Sequence, residues 1–159
     1  MTFILAPERD IDAHGAFRRY REYLQQEEAR FPPEALALAT SDWYLGADDH
    51  RAPHDAWLLS AFFEEIGRGE RSQTRSLSLR LSLLGAYRDL ELQLVYPKVF
   101  AYTFQGRLVE GGHGDWRYDE FRVSKDGHLV HEIQWCGMDD GATWVIEADD
   151  VIFTLRLRA

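Results

Sequence analysis

One cysteine, Cys136, stands in 159 residues. A lone thiol cannot close an internal disulfide, and such usage fits a reducing compartment. Long apolar runs are missing too, and no stretch approaches the ~18 apolar residues of a membrane span. The opening MTFILAPERD has no basic leader and too short an apolar run for a signal peptide. A cytoplasmic protein, with no membrane partner, is the expectation. Lysine is scarce, with two against sixteen arginines; codon usage is explanation enough. Gly-x-Ser-x-Gly does not occur, nor does any zinc-ligand spacing. These absences lean away from an enzyme and give no reason to expect a cofactor or metal.

What is present is acid. The net charge is −9. Residues 107–150 carry eleven acids against four bases, a balance of −7 in that segment. Such a field repels nucleic acid and attracts basic partners.

The length suits one domain, 1–159, able to bury roughly 70% of its unfolded surface. Its N-terminal part, about 9–40, reads as helical. Ile11, Phe17, Tyr20 and Leu24 fall near one stripe, Asp10 or Asp12 caps the start, and Pro32 and Pro33 end the run. A short second helix follows over 34–39, then a loop over 41–53. The part from about 54 to 158 is β-rich. HDAWLLSAFFEEI (54–66) fits helix or strand; its aromatics favour a buried strand in a hairpin. Leu77, Leu79, Leu81 and Leu83 alternate with Ser78, Arg80 and Ser82, and Leu90, Leu92, Leu94 and Tyr96 repeat the pattern. Short turns (KDG, MDDG, EADD) favour antiparallel pairing. The expected class is therefore α+β: N-terminal helices packed on a twisted, mainly antiparallel sheet of about seven or eight strands.

GGHGDWRYDEF (111–121) concentrates the polar chemistry. A strand follows its glycines, which does not suit a phosphate loop. Trp116 and Tyr118 share one phase, Phe121 and Val123 the other. A one-residue slip of this kind flips side chains, and a β-bulge near Asp119 and Glu120 repairs it. The run then reads as a glycine turn entering a strand that presents acid outward. Cys136 sits in acidic surroundings, which argues against a nucleophile.

HDAWL (54–58), LLGAYRD (83–89), LVYPKVFAY (94–102), GHGDWRYDE (112–120), HLVHEIQW (128–135) and WVIEADDVIF (144–153) together resemble a family of small, uncharacterised bacterial proteins. Those proteins look like the immunity proteins of toxin–immunity systems. The resemblance covers about 50–155 and leaves the first helix outside it. It implies a non-catalytic acidic protein that binds and inhibits a basic toxin. The partner-binding residues expected are Asp115, Trp116, Asp119, Glu120, Asp139 and Asp140. The alternative is an enzyme or a small-ligand or metal-binding protein, its pocket built from His54, Asp55, His113 and His131, with Asp115 beside them. Oligomeric state is left open, although strand edges without a clear guard leave room for dimerisation.

Overall fold

The structure is a computed structural model and describes residues 1–109, 111–138 and 142–158. A single 3-10 turn at Pro7–Asp10 leads into helix α1 (Ala13–Glu27), and a second turn, Glu28–Arg30, closes the run. Asp12 caps α1 by accepting the Gly15 N–H at 2.8 Å. A Cβ at Gly15 would meet that carboxylate at 1.8 Å, so a larger residue there would make the Asp12 side chain shift. Helix α2 (Pro33–Ala39) begins on its proline, as the fixed φ of proline favours. It has no capping side chain of its own. Asp150, more than a hundred residues away, accepts the N–H groups of Glu34 and Ala35 at 3.1 and 2.9 Å.

Seven antiparallel strands follow: β1 (Trp57–Arg68), β2 (Thr74–Leu84), β3 (Leu90–Gln105), β4 (Asp115–Val123), β5 (Leu129–Cys136), β6 (Thr143–Ala148) and β7 (Ile152–Leu157). This is the α+β arrangement that the alternating leucines predict. The order in the sheet is β2-β1-β4-β5-β6-β3-β7, and β2 also pairs with β3. Six strands thus close into a ring. The closing pair, β1 with β4, is one residue long, Trp57 opposite Asp115. β6 and β7 lie end to end along β3, facing Val99–Gln105 and Leu90–Val95 respectively.

The inward leucines of β2 and β3 (Leu79, Leu81, Leu83, Leu92, Leu94) are fully buried with Tyr96, Ile133 and Ile146. Alternation sends them to one face, and curling the sheet turns that face into a core. The strand that carries Leu90, Leu92, Leu94 and Tyr96 in alternation continues through Pro97 to Gln105 as one long β3. Proline has no N–H to give the ladder, and the pairing with β2 steps from Leu79–Tyr96 to Leu77–Val99 around it.

The segment 54–66 is a hairpin strand, but not a buried one. From Leu59 to Arg68 only Phe63 is half-buried. Beyond Trp57, β1 has a neighbour on one side only among the described residues.

Strand β4 lacks a neighbour strand along most of its outer edge, and α1 takes that place. The Tyr20 hydroxyl accepts the Phe121 N–H at 2.7 Å and donates to the Phe121 carbonyl at 2.9 Å. The Tyr23 hydroxyl accepts the Val123 N–H at 2.9 Å. Covering an edge with a helix normally leaves backbone groups unpaired; these tyrosines satisfy them. Among the described residues no helix is long and apolar enough to cross a membrane.

Tyr20→Phe keeps the ring and orphans the Phe121 N–H and carbonyl in the core. We expect a loss of roughly 2–3 kcal/mol, read as a lower urea midpoint with an unchanged slope. Tyr23→Phe, which frees one half-buried N–H, should cost less than half as much.

Candidate functional site

Strand β4 carries an irregularity in its pairing with β5. Trp116 faces Trp135 and Tyr118 faces Gln134, so two steps on β4 match one on β5. The bulge lies at Trp116–Tyr118, ahead of the expected position near Asp119 and Glu120. It brings a change of phase, but by falling between Trp116 and Tyr118 it sends these two, expected on one face, to opposite faces, as their partners Trp135 and Gln134 do. Trp116, Asp119 and Phe121 all point inward and are buried.

Asp119 is 2% exposed and takes three partners. Its Oδ1 accepts the Trp116 indole N–H at 3.0 Å. Its Oδ2 accepts the Tyr44 hydroxyl at 3.0 Å and lies 2.8 Å from Nε2 of His131. His131 is fully buried, and its Nδ1 lies 2.6 Å from the Tyr96 hydroxyl. With Nε2 protonated and Tyr96 donating to Nδ1, the four side chains around the carboxylate satisfy one another. Burial, followed by the Asp119 charge, holds the Tyr44 and Tyr96 phenols well above their ordinary 10.0. Burial does the same to Tyr20.

Glu120, the next residue, faces the other way and is fully buried as well. The first residues of the chain fold over it. Its Oε2 accepts the N–H groups of Phe3, Ile4 and Leu5 at 2.9, 2.8 and 3.3 Å. Its Oε1 takes Arg122, which also donates to Glu132. Arg9 fastens the same strap, donating to the Ile4 carbonyl at 2.9 Å and lying over the Tyr118 ring. Asp119 and Glu120 therefore do not converge, and neither presents acid outward. Each is spent on holding a different layer against β4.

Of the six residues expected to bind a partner, Trp116, Asp119 and Glu120 are interior. Asp115 is half-buried. Asp139 and Asp140 lie outside the described residues. The other acids of the 107–150 segment are also largely employed. Glu132 pairs with Arg122 and Glu147 with His128, Asp149 accepts the Lys98 and Asp150 N–H groups, and Asp150 caps α2.

The alternative pocket set is brought together only in part: His54, Asp55, His113 and Asp115 neighbour one another, and His131 lies apart from them. His131 is in the core. His54 and Asp55 sit in the loop before β1, with His54 edge-on to Tyr118. His54 Nδ1 is 3.2 Å from an Asp55 oxygen, yet makes no hydrogen bond. His113 packs against Trp135 and Trp144 and contacts its neighbour's carbonyl, Gly114 O, at 2.9 Å. Burial and the nearby Asp55 charge raise the Asp115 carboxyl, which His113 partly offsets. Burial, with the charges of Asp115 and Asp55, also raises the Cys136 thiol, the opposite of what a nucleophile needs. Among the described residues no three His, Cys, Asp or Glu side chains form a group able to hold a metal.

One concave site among the described residues was not read from the sequence. It is a cleft of about 710 Å³ between α1, α2 and the loop after α2. Phe17, Leu24, Leu36 and Leu45 give it an apolar lining, with Arg21, Gln25, Glu28 and Asp42 among its polar residues. One wall runs along α1 from Phe17 to Glu28 and the other from Leu36 through the loop to Gly46. No local pattern marks it in the sequence, because the gap is set by how these two segments are held apart.

The chain matches no protein-family model, no curated protein and no solved structure.

Asp119→Leu removes the acceptor shared by Trp116, Tyr44 and His131. Each buried donor left without its acceptor costs about 1–3 kcal/mol, so a fall of roughly 3–5 kcal/mol in unfolding free energy is expected by chemical denaturation. The buried phenols set a second expectation. Their folded pKa values lie above the unfolded 10.0, so the stability they contribute is complete below pH 10 and is lost as pH rises further. Absorbance at the phenolate band should show these tyrosines ionising together with loss of secondary structure.

Proposed function

We propose that this chain is a non-catalytic binding protein and that the α1–α2 cleft is its recognition site. The observation that carries this reading is the cleft itself, about 710 Å³ with apolar walls and charged groups at hand. That volume falls in the range of small-ligand pockets, and the mix of apolar walls with a few polar groups is typical of them. The ligand class it suits is amphipathic, with an apolar body against Phe17, Leu36 and Leu45 and a polar end near Arg21, Glu28 or Asp42. The interior Asp–His–Tyr network adds support from the other side. Its hydrogen-bonding capacity is used up in holding the fold, which leaves it little to offer a substrate.

A second reading, binding of a basic protein such as a toxin, is supported by the net charge of −9 and by the resemblance to immunity-type proteins. It would draw on surface acids other than Asp119 and Glu120. Association of that kind weakens steeply with salt, because it is steered by opposite charge.

The test is a titration of isotopically labelled protein with short amphiphiles of either charge, followed by backbone amide shifts. We expect shifts confined to 17–28 and 36–46. Leu36→Trp, which fills the cleft from a half-buried position, should cut affinity at least tenfold with the melting temperature little changed. Shifts elsewhere, or none at saturating amphiphile, would overturn the cleft reading. A basic protein captured only at low salt would favour the second one.

A further inference from the structure

We infer that β1 is a self-association edge, and that two copies of this chain pair antiparallel through it about a two-fold axis at Phe62. Strand β1 is twelve residues long, and past Trp57 its only strand partner among the described residues is β2. The opposite edge therefore offers a row of backbone N–H and C=O groups, the template that soluble proteins usually guard with charged side chains, lysine above all, with proline, bulges or a cover. Leu59–Arg68 contains neither lysine nor proline, and its charges are Glu64, Glu65 and Arg68. Its one register irregularity lies at its start, between Leu58 and Ser60. Among the described residues no helix pairs with this edge, whereas the comparable edge of β4 is closed by Tyr20 and Tyr23.

The exposed side chains are those of an interface. Leu59, Phe62 and Ile66 are 46%, 52% and 37% exposed. The charges are partly neutralised at home, since Arg75 lies 3.5 Å from Glu65 and Arg80 lies over the Phe62 ring. The occupant follows from register. A two-fold axis normal to the sheet keeps outer faces together, so opposed residues must share a face. Centring on Phe62 sets the two Phe62 rings side by side, Ala61 opposite Phe63, Glu64 opposite Ser60 and Glu65 opposite Leu59. No glutamate then faces a glutamate. Centring on Glu64 or Glu65 opposes like charges, and centring on Phe63 sets Glu64 against Phe62 and Glu65 against Ala61, so both acids meet apolar side chains. Centring on Ala61 sets Phe62 against Ser60, giving up the aromatic pair, and brings the irregularity at Leu58–Ser60 one residue nearer the axis, opposite Phe63. Like charges directly opposite are unfavourable and aromatic pairs favourable, so the sequence of β1 selects its own copy in one register. This inference is independent of the cleft, which lies on the helices.

Sedimentation of the full chain across a concentration series tests it. We expect a dimer whose fraction rises with concentration, and Phe62→Glu should return it to monomer without loss of secondary structure. A second experiment fixes the register. Opposed residues in an antiparallel pair have Cα atoms about 4.5–5.5 Å apart, within disulfide reach. In a Cys136→Ser background, Phe62→Cys should therefore yield a covalent dimer on mild oxidation, and Ile66→Cys should not. A wild-type monomer at every concentration would overturn the proposal, as would a dimer indifferent to Phe62→Glu or one cross-linked through position 66 in preference to 62.

Discussion

Two adjacent carboxylates on one strand organise this protein. Neighbouring residues of a strand point to opposite faces, so Asp119 and Glu120 cannot share a site. A carboxylate buried without partners costs several kcal/mol, and each therefore dictates what must surround it. Asp119 gathers Trp116, Tyr44 and His131 on the inner side, and through His131 it reaches Tyr96 on β3. Glu120 gathers the backbone of residues 3–5 and Arg122 on the outer side. One dipeptide thus ties the chain start, the loop after α2, and strands β3, β4 and β5 to a common point.

The same economy applies to the acidic segment as a whole. A charge balance of −7 over 107–150 suggests a recognition surface, but charge in sequence carries no address. Folding distributes these acids among capping, strapping and ion pairing. Asp150 is the clearest instance. Its carboxylate supplies the N-terminal cap that α2 lacks, and so joins the turn between β6 and β7 to the helical layer. The cleft between α1 and the segment 36–46 draws on none of these acids.

The strand edges divide the molecule into two unlike halves. The β4 side is closed by tyrosine hydroxyls that stand in for a missing strand. The β1 side runs out as a ribbon on which Phe63 packs against Tyr102 and Phe104 while Leu59, Phe62 and Ile66 stay exposed. Closed edges fit the part that holds the polar network, where a displaced partner would leave a buried charge. An open edge is tolerable where nothing of that kind is at stake.

Much of the fold was legible in local pattern. The alternating leucines of 77–83 and 90–96, the glycine turns and the Pro32–Pro33 stop report interactions between near neighbours, and those survive into the structure. So did the phase slip in β4, which is a property of spacing alone, although its position was displaced toward Trp116. The candidate site was much less legible. Whether Asp119 faces water or His131 depends on a bulge and on a curl of the sheet that brings β3, β4 and β5 around one point. Whether Glu120 is exposed depends on residues more than a hundred positions away. Sequence by itself determined the class, the alternation and the helical N-terminus, because periodicity and turn chemistry act over a few residues. Tertiary structure alone decided which acids are interior, where the cleft opens and which edge stays bare, because each of these is set by what long-range packing brings alongside.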